Sequence, residues 1–198
     1  MAGILGPAMV TRDPRTYELN PFGRLAVAHA ASSVGDACLT VSLAGSIFFT
    51  QSVGESRTQV LLYLLLTLAP FSLVAPVIGP ALDRSRAGRR TLMAAGCFGR
   101  AVVCFLMAGQ VHSVLLFPLA FVALVLSKGH SVAKSSLVPA VVKDDSELVE
   151  ANSRLSLIAV IASVAGGLPA AGIAAVFDAR YSLLLASIVF ALAGVLAT

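Results

Sequence analysis

Gly79-Pro-Ala-Leu-Asp83-Arg84-Ser-Arg86-Ala-Gly88-Arg89-Arg90 joins two long apolar runs. A short, strongly basic segment in that position reads as a loop between two membrane spans. Gly79 closes the first run with a residue small enough for packed membrane helices to approach closely. Asp83 follows one turn later, at a boundary where a carboxylate still reaches water. Arg84, Arg86, Arg89 and Arg90 resist translocation and place the loop on the cytoplasmic side.

Composition agrees with that reading. Of 198 residues, 58% are hydrophobic and 12% charged, and the mean hydropathy is +0.91. Soluble domains carry roughly 25% charged residues, so the chain reads as an integral membrane protein with the lipid bilayer as its first partner. The net charge of +4 does not mark a nucleic-acid binder, because the arginines gather in loops between apolar runs. Cys38, Cys97 and Cys104 lie inside apolar runs without metal-ligand spacing, and read as small buried hydrophobes. No metal, cofactor or catalytic residue is expected. The segment Met1–Val10 is short and lacks a basic start, so no cleavable signal peptide is expected and the first span serves as its own insertion signal.

Working outward from the loop, residues 1–22 read as a cytoplasmic tail and 23–198 as an all-α membrane domain of six transmembrane helices. The expected spans are 24–49, 59–82, 91–108, 114–138, 155–177 and 181–198. Each is long enough for about 30 Å of hydrocarbon, with tilt. Pro70, Pro76 and Pro80 kink the second span, and the fourth is expected to end before Pro139. Asp145 or Ser146 caps either a short amphipathic helix or the start of the next span. With both termini inside, ten of the 14 Lys and Arg fall on inner segments, while Arg57 and Arg180 lie outside and Arg100 and Lys128 fall within spans. The inverted topology would put those ten on the wrong side.

An ionisable group in hydrocarbon is costly unless paired or hydrated, and so is a candidate functional residue. His29 and Asp36 share one face of the first span, two turns apart. Asp36, 12 residues past Arg24, lies about 18 Å along the axis, near mid-bilayer, and Arg100 is at similar depth in the third span. Lys128 and His130 occupy the fourth. Each has a plainer reading beside the functional one. Arg100 pairs with a carboxylate or carbonyls to fix packing, the histidines are hydrogen-bonded packing groups, and Lys134 snorkels to the interface. Asp36 has fewest such exits. Six spans taken as two three-helix repeats put Asp36 and Lys128 in the first helix of each, where inverted repeats meet at a midplane site.

The order Gly, three residues, Asp-Arg, spacer, Gly-Arg-Arg resembles the loop between helices two and three of major facilitator superfamily transporters. The usual form is G-x-x-x-D-R-x-G-R-R, and the spacer here is two residues longer. Leu137–Asn152, L-V-P-A-V-V-K-D-D-S-E-L-V-E-A-N, is similar to the connection between helices four and five of bacterial, in particular actinobacterial, drug-efflux-type members. The resemblance implies the amino-terminal half of a 12-helix fold in a bacterial plasma membrane. It implies alternating access, usually proton-driven, with a small-molecule substrate. In that family the loop is a conformational switch, which carries over to Gly79, Asp83, Arg84, Gly88, Arg89 and Arg90. The expected proton and substrate cavity comprises Asp36, His29, Lys128, Arg100 and His130. Since the sequence ends after span six, a second six-helix half is expected in the same gene or a partner chain. The expected activity is export of small amphiphilic compounds. The alternative is a non-transporting six-span subunit or receptor-like scaffold. An enzyme is not expected, as G-x-S-x-G, H-E-x-x-H and a nucleotide-binding loop are all missing.

Overall fold

The computed structural model describes residues 21–46, 86–113, 115–141 and 147–198, and every regular element among them is helical. These are α1 (Pro21–Ala44), α2 (Arg86–Ala108), α3 (Leu116–Val141), α4 (Glu147–Val176) and α5 (Ala179–Ala197). The expected second span, and with it Gly79, Asp83 and Arg84, lies outside the described residues, as does the tail up to residue 20.

Among the described residues, four stretches are long and apolar enough to cross a membrane: Arg90–Ala108, Leu116–Pro139, Glu147–Val176 and Ala179–Ala197. That number of membrane-length helices marks a multi-pass α-helical membrane protein. α1 has the length, 24 residues or about 36 Å, but Ser, Gly, His29 and Asp36 dilute its apolar run.

Several boundaries differ from the sequence expectation. α1 is followed by a turn at Gly45 and Ser46, earlier than the expected end at residue 49. α2 starts at Arg86, so Gly88, Arg89 and Arg90 belong to a helix and not to a loop. No proline follows Pro80 there to stop it. α3 continues through Pro139 to Val141, because a proline in the last turn removes only one backbone bond. α4 begins at Glu147, with Glu147 and Glu150 in the turn where the helix dipole favours anions. α5 begins right after Asp178, whose side chain accepts from the Arg180 backbone N–H at 2.7 Å. That bond satisfies one of the orphan donors of the first turn.

α5 is central and packs extensively against α1 and α2; α3 lies on the outer side of α2, and α4 on the outer side of α1. Glycines set the closest approaches. A Cβ at Gly166 would lie 2.6 Å from Val34 Cγ1 and 3.0 Å from the Val34 backbone, so α4 meets α1 nearly backbone to backbone. A Cβ at Gly35 would lie 2.7 Å from the Phe190 ring of α5. Hydroxyls add directed contacts, as expected where apolar burial cannot drive helices together. Ser182 Oγ donates to the Ala170 carbonyl at 2.6 Å, and Ser187 Oγ to Ala101 at 2.8 Å.

The interior is layered. One apolar cluster holds Leu39, Cys104, Met107, Leu116, Leu183 and Phe190. The other holds Leu25, Met93, Leu137 and Leu155. On α1, α2 and α3 the buried side chains between these clusters are Ser32, Ser33, Cys97, Arg100 and His130, and that polar layer contains the site.

Candidate functional site

Arg100 is the largest fully buried side chain among the described residues, at 0% exposure. An arginine held there needs its charge matched and its donors used, since guanidinium is not deprotonated in proteins. α2 presents it between Cys97 and Cys104, and five partners answer it. Nη1 donates to both carboxylate oxygens of Asp36, at 2.9 and 3.1 Å, and to Ser127 Oγ at 3.4 Å. Nη2 donates to Ser32 Oγ at 3.0 Å and to Cys97 Sγ at 3.4 Å. Nε donates to the Gly96 carbonyl at 3.2 Å. The face of the guanidinium lies 4.3 Å from the Phe190 ring centroid, a cation–π contact from α5.

Asp36 also accepts from Ser127 Oγ at 2.8 Å. Its side chain is 42% exposed. The pair is therefore lopsided: the cation is sealed and pinned, while the anion keeps one side open. α1, α2 and α3 meet at this one carboxylate.

His130 lies in the same polar layer, 5% exposed, with Nδ1 3.6 Å from Cys97 Sγ. Its Nε2 and both ring nitrogens of His29 are buried without a hydrogen-bond partner. Of the five residues expected in the cavity, Asp36, Arg100 and His130 are brought together directly or through Cys97. His29 stands one step away, within the field of Asp36. Lys128 is exposed, and the cation that reaches Asp36 is Arg100. Of the switch residues, Gly88 and Arg90 lie in the first turns of α2 with Arg90 exposed, while the Arg89 side chain lies outside the description.

Ser32, Cys97, Ser127 and Phe190 were missed at the sequence level. One signal was available for the serines: Ser32 lies at i+3 between His29 and Asp36, and Ser127 precedes His130 by three, so each shares a helical face with a flagged residue. Phe190 gave no signal, because a phenylalanine over a cation and one in lipid look alike in sequence. Cys38, Cys97 and Cys104 are free and buried, as their apolar context indicated.

A multi-pass membrane protein whose described helices share a hydroxyl-braced Asp36–Arg100 ion pair is the class these observations define. No protein-family model and no solved structure matches the chain. It is similar to the uncharacterized protein ML2143 of Mycobacterium leprae (strain TN), 40% identical over 146 residues, covering 70% of this chain and 25% of that protein. The uncharacterized protein Rv0876c of Mycobacterium tuberculosis (strain ATCC 25618 / H37Rv) is 39% identical over 146 residues, covering 70% of this chain and 26% of that protein. The chain thus spans about a quarter of the length of the curated relatives it matches.

Proposed function

We propose that the chain is the amino-terminal, six-span half of a secondary active transporter of the major facilitator type, exporting small amphiphilic compounds by alternating access. In this reading both termini are cytoplasmic, the six spans form two three-helix repeats, and Asp36 is the proton-coupling group. The observation that carries it is the Asp36–Arg100 pair. A carboxylate near the middle of an apolar bundle is paired, yet open on one side, as a group that exchanges a proton or a cationic substrate must be. The resemblance of the basic segment 79–90 and of Leu137–Asn152 to that superfamily supports the reading, and places Asp83 and its arginines as a latch between halves. The relatives are long enough to accommodate a second half beyond the match.

The full-length protein in proteoliposomes, with ethidium and other fluorescent amphiphilic cations as probes, tests it. Asp36→Asn retains an acceptor oxygen for Arg100 and is expected to fold and bind probe. It should lose uphill transport driven by a pH gradient while keeping downhill exchange. Uphill transport at the parental rate in Asp36→Asn sinks the coupling role. A second reading, a non-transporting six-span subunit in which the pair is a permanent structural pin, is favoured by the complete burial and saturation of Arg100. It predicts no probe movement in the parent protein.

A further inference from the structure

The ion pair occupies only one end of a longer polar seam. On α1, His29, Ser32 and Asp36 are spaced by three and four; on α3, Ser127, His130 and Lys134 have the same spacing. Each trio lies on one helical face. The two run in opposite directions: Ser127 bonds Asp36, and seven residues away on each helix Lys134 lies in the field of His29. α1 and α3 otherwise touch only lightly, so polar groups line the place where these two helices meet.

The middle of the seam is poorly satisfied. His130 is 5% exposed and its Nε2 has no hydrogen-bond partner, nor has either ring nitrogen of His29. Arg100 Nη2 donates to Cys97 Sγ, and His130 Nδ1 lies 3.6 Å from the same sulfur. His130 Nδ1 is thus engaged with Cys97, and Nε2 is the ring nitrogen left for a further partner. Backbone carbonyls of Met93 and Leu155 lie beside the two rings. Three unsatisfied buried nitrogens are expensive in a bundle that has Ala and Leu at hand. Imidazole, however, can take up a proton and release it again.

We propose that His29 and His130 form a proton relay between Asp36 and the end of the bundle where α1 begins, with water joining the rings to each other and to the carboxylate. This rests on the proton-coupling reading of Asp36. A hydronium at the Lys134 end gives its proton to one ring nitrogen. The imidazolium releases a proton through water toward the Asp36 carboxylate and returns to the neutral ring; His130 takes up and releases its proton at Nε2, because Nδ1 is engaged with Cys97. One proton crosses and no other atom is gained or lost. The charged and titratable groups facing these rings are Asp36 from α1, Cys97 and Arg100 from α2, and Lys134 from α3; among the described residues α4 supplies the Leu155 carbonyl. Span of the path from His29 to Asp36 is about 10 Å, seven residues of helical rise.

The test needs no substrate. The full-length protein is given a rapid pH drop, and infrared absorption follows the protonated carboxyl of Asp36, identified by its loss in Asp36→Asn. His29→Gln and His130→Gln should show the same final amplitude with protonation slowed at least tenfold. Imidazole added to His130→Ala should restore part of the rate, which mere repair of packing would not do selectively over an equal concentration of pyrrole. Parental rates in both glutamine variants overturn the relay and leave the coupling role of Asp36 intact. Absence of any Asp36-dependent band in the parent overturns both. Should His130→Gln lose its fold, His29→Gln and His29→Asn, at a half-buried position, carry the same comparison.

Discussion

α1 is held in two different ways along its two sides. Against α4 and α5 it packs through glycines, with Gly166 against the Val34 backbone and Gly35 against the Phe190 ring. Against α2 and α3 it is held by Asp36, Ser32, Arg100 and Ser127. The first side gains from many small dispersion contacts that exist only at one separation. The second depends on a few hydrogen bonds whose loss exposes a charge to a poorly solvating interior. Tight, shape-determined contact resists sliding, whereas a polar seam can exchange partners, so movement of α1 during any functional cycle is expected on the α2–α3 side.

The strongest way to break this contrast is to unbalance the ion pair. Asp36→Leu leaves Arg100 fully buried with no counter-charge, and breaking a buried pair in this way costs about 3–5 kcal/mol. Arg100→Met leaves Asp36, whose open side can be hydrated, and should cost visibly less. The double variant is expected to recover much of the loss. Thermal unfolding of the three proteins in detergent checks the order; equal losses in the two single variants would mean that both charges are equally sealed.

The glycine side should fail by a different route. Gly166→Val drives its side chain into Val34, where backbone atoms cannot yield as a flexible side-chain end could. Overpacking of this kind costs about 1–3 kcal/mol. It should also displace α4 from α1 without disturbing the Asp36–Arg100 pair, so the infrared signature of Asp36 should persist at reduced unfolding temperature. Loss of that signature would show that the two sides of α1 are coupled.

A smaller effect is expected from Ser182→Ala. It removes the 2.6 Å bond from α5 to the Ala170 carbonyl, at a site where α4 and α5 have modest contact. Interhelical hydrogen bonds in membranes are worth about 0.6 kcal/mol on average, with about 1.7 as the upper end. A Ser182→Ala unfolding temperature matching the parent would assign the α4–α5 turn, capped by Asp178, the whole of that helix pairing.

How much of this was legible in the sequence follows from what each feature depends on. Apolar run length alone decides whether a helix can span a bilayer, so the membrane class and the approximate positions of α2 to α5 were readable. That Asp36 and Arg100 lie at a similar level followed from helical rise, and their ion pair agrees with it. Which cation Asp36 takes did not, because Lys128 and Arg100 are equally intramembrane in sequence and only the rotation of α2 and α3 separates them. Helix ends depart from the expected spans in both directions, with α1 closing before residue 49 and α2 opening before Thr91, because charge and polarity locate the water boundary while backbone bonding stops or continues independently of it.

Gly166 and Gly172 illustrate the same limit and supply the smallest prediction. Both belong to the small-residue run of α4, and nothing in sequence distinguishes them. In the folded chain a Cβ at Gly166 meets Val34 at 2.6 Å, whereas a Cβ at Gly172 has no described atom within 4 Å. Gly172 is exposed within α4, near its C-terminal end, and glycine inside a helix costs roughly 0.5–1 kcal/mol relative to alanine through its greater freedom in the unfolded chain. Gly172→Ala should therefore raise the unfolding temperature slightly, and Gly166→Ala should lower it. The pair of measurements isolates contact from propensity, because both substitutions add the same methyl group to the same helix. A Gly172→Ala protein that is destabilised as much as Gly166→Ala would place a packing partner, from this chain or from a second half, against that face of α4.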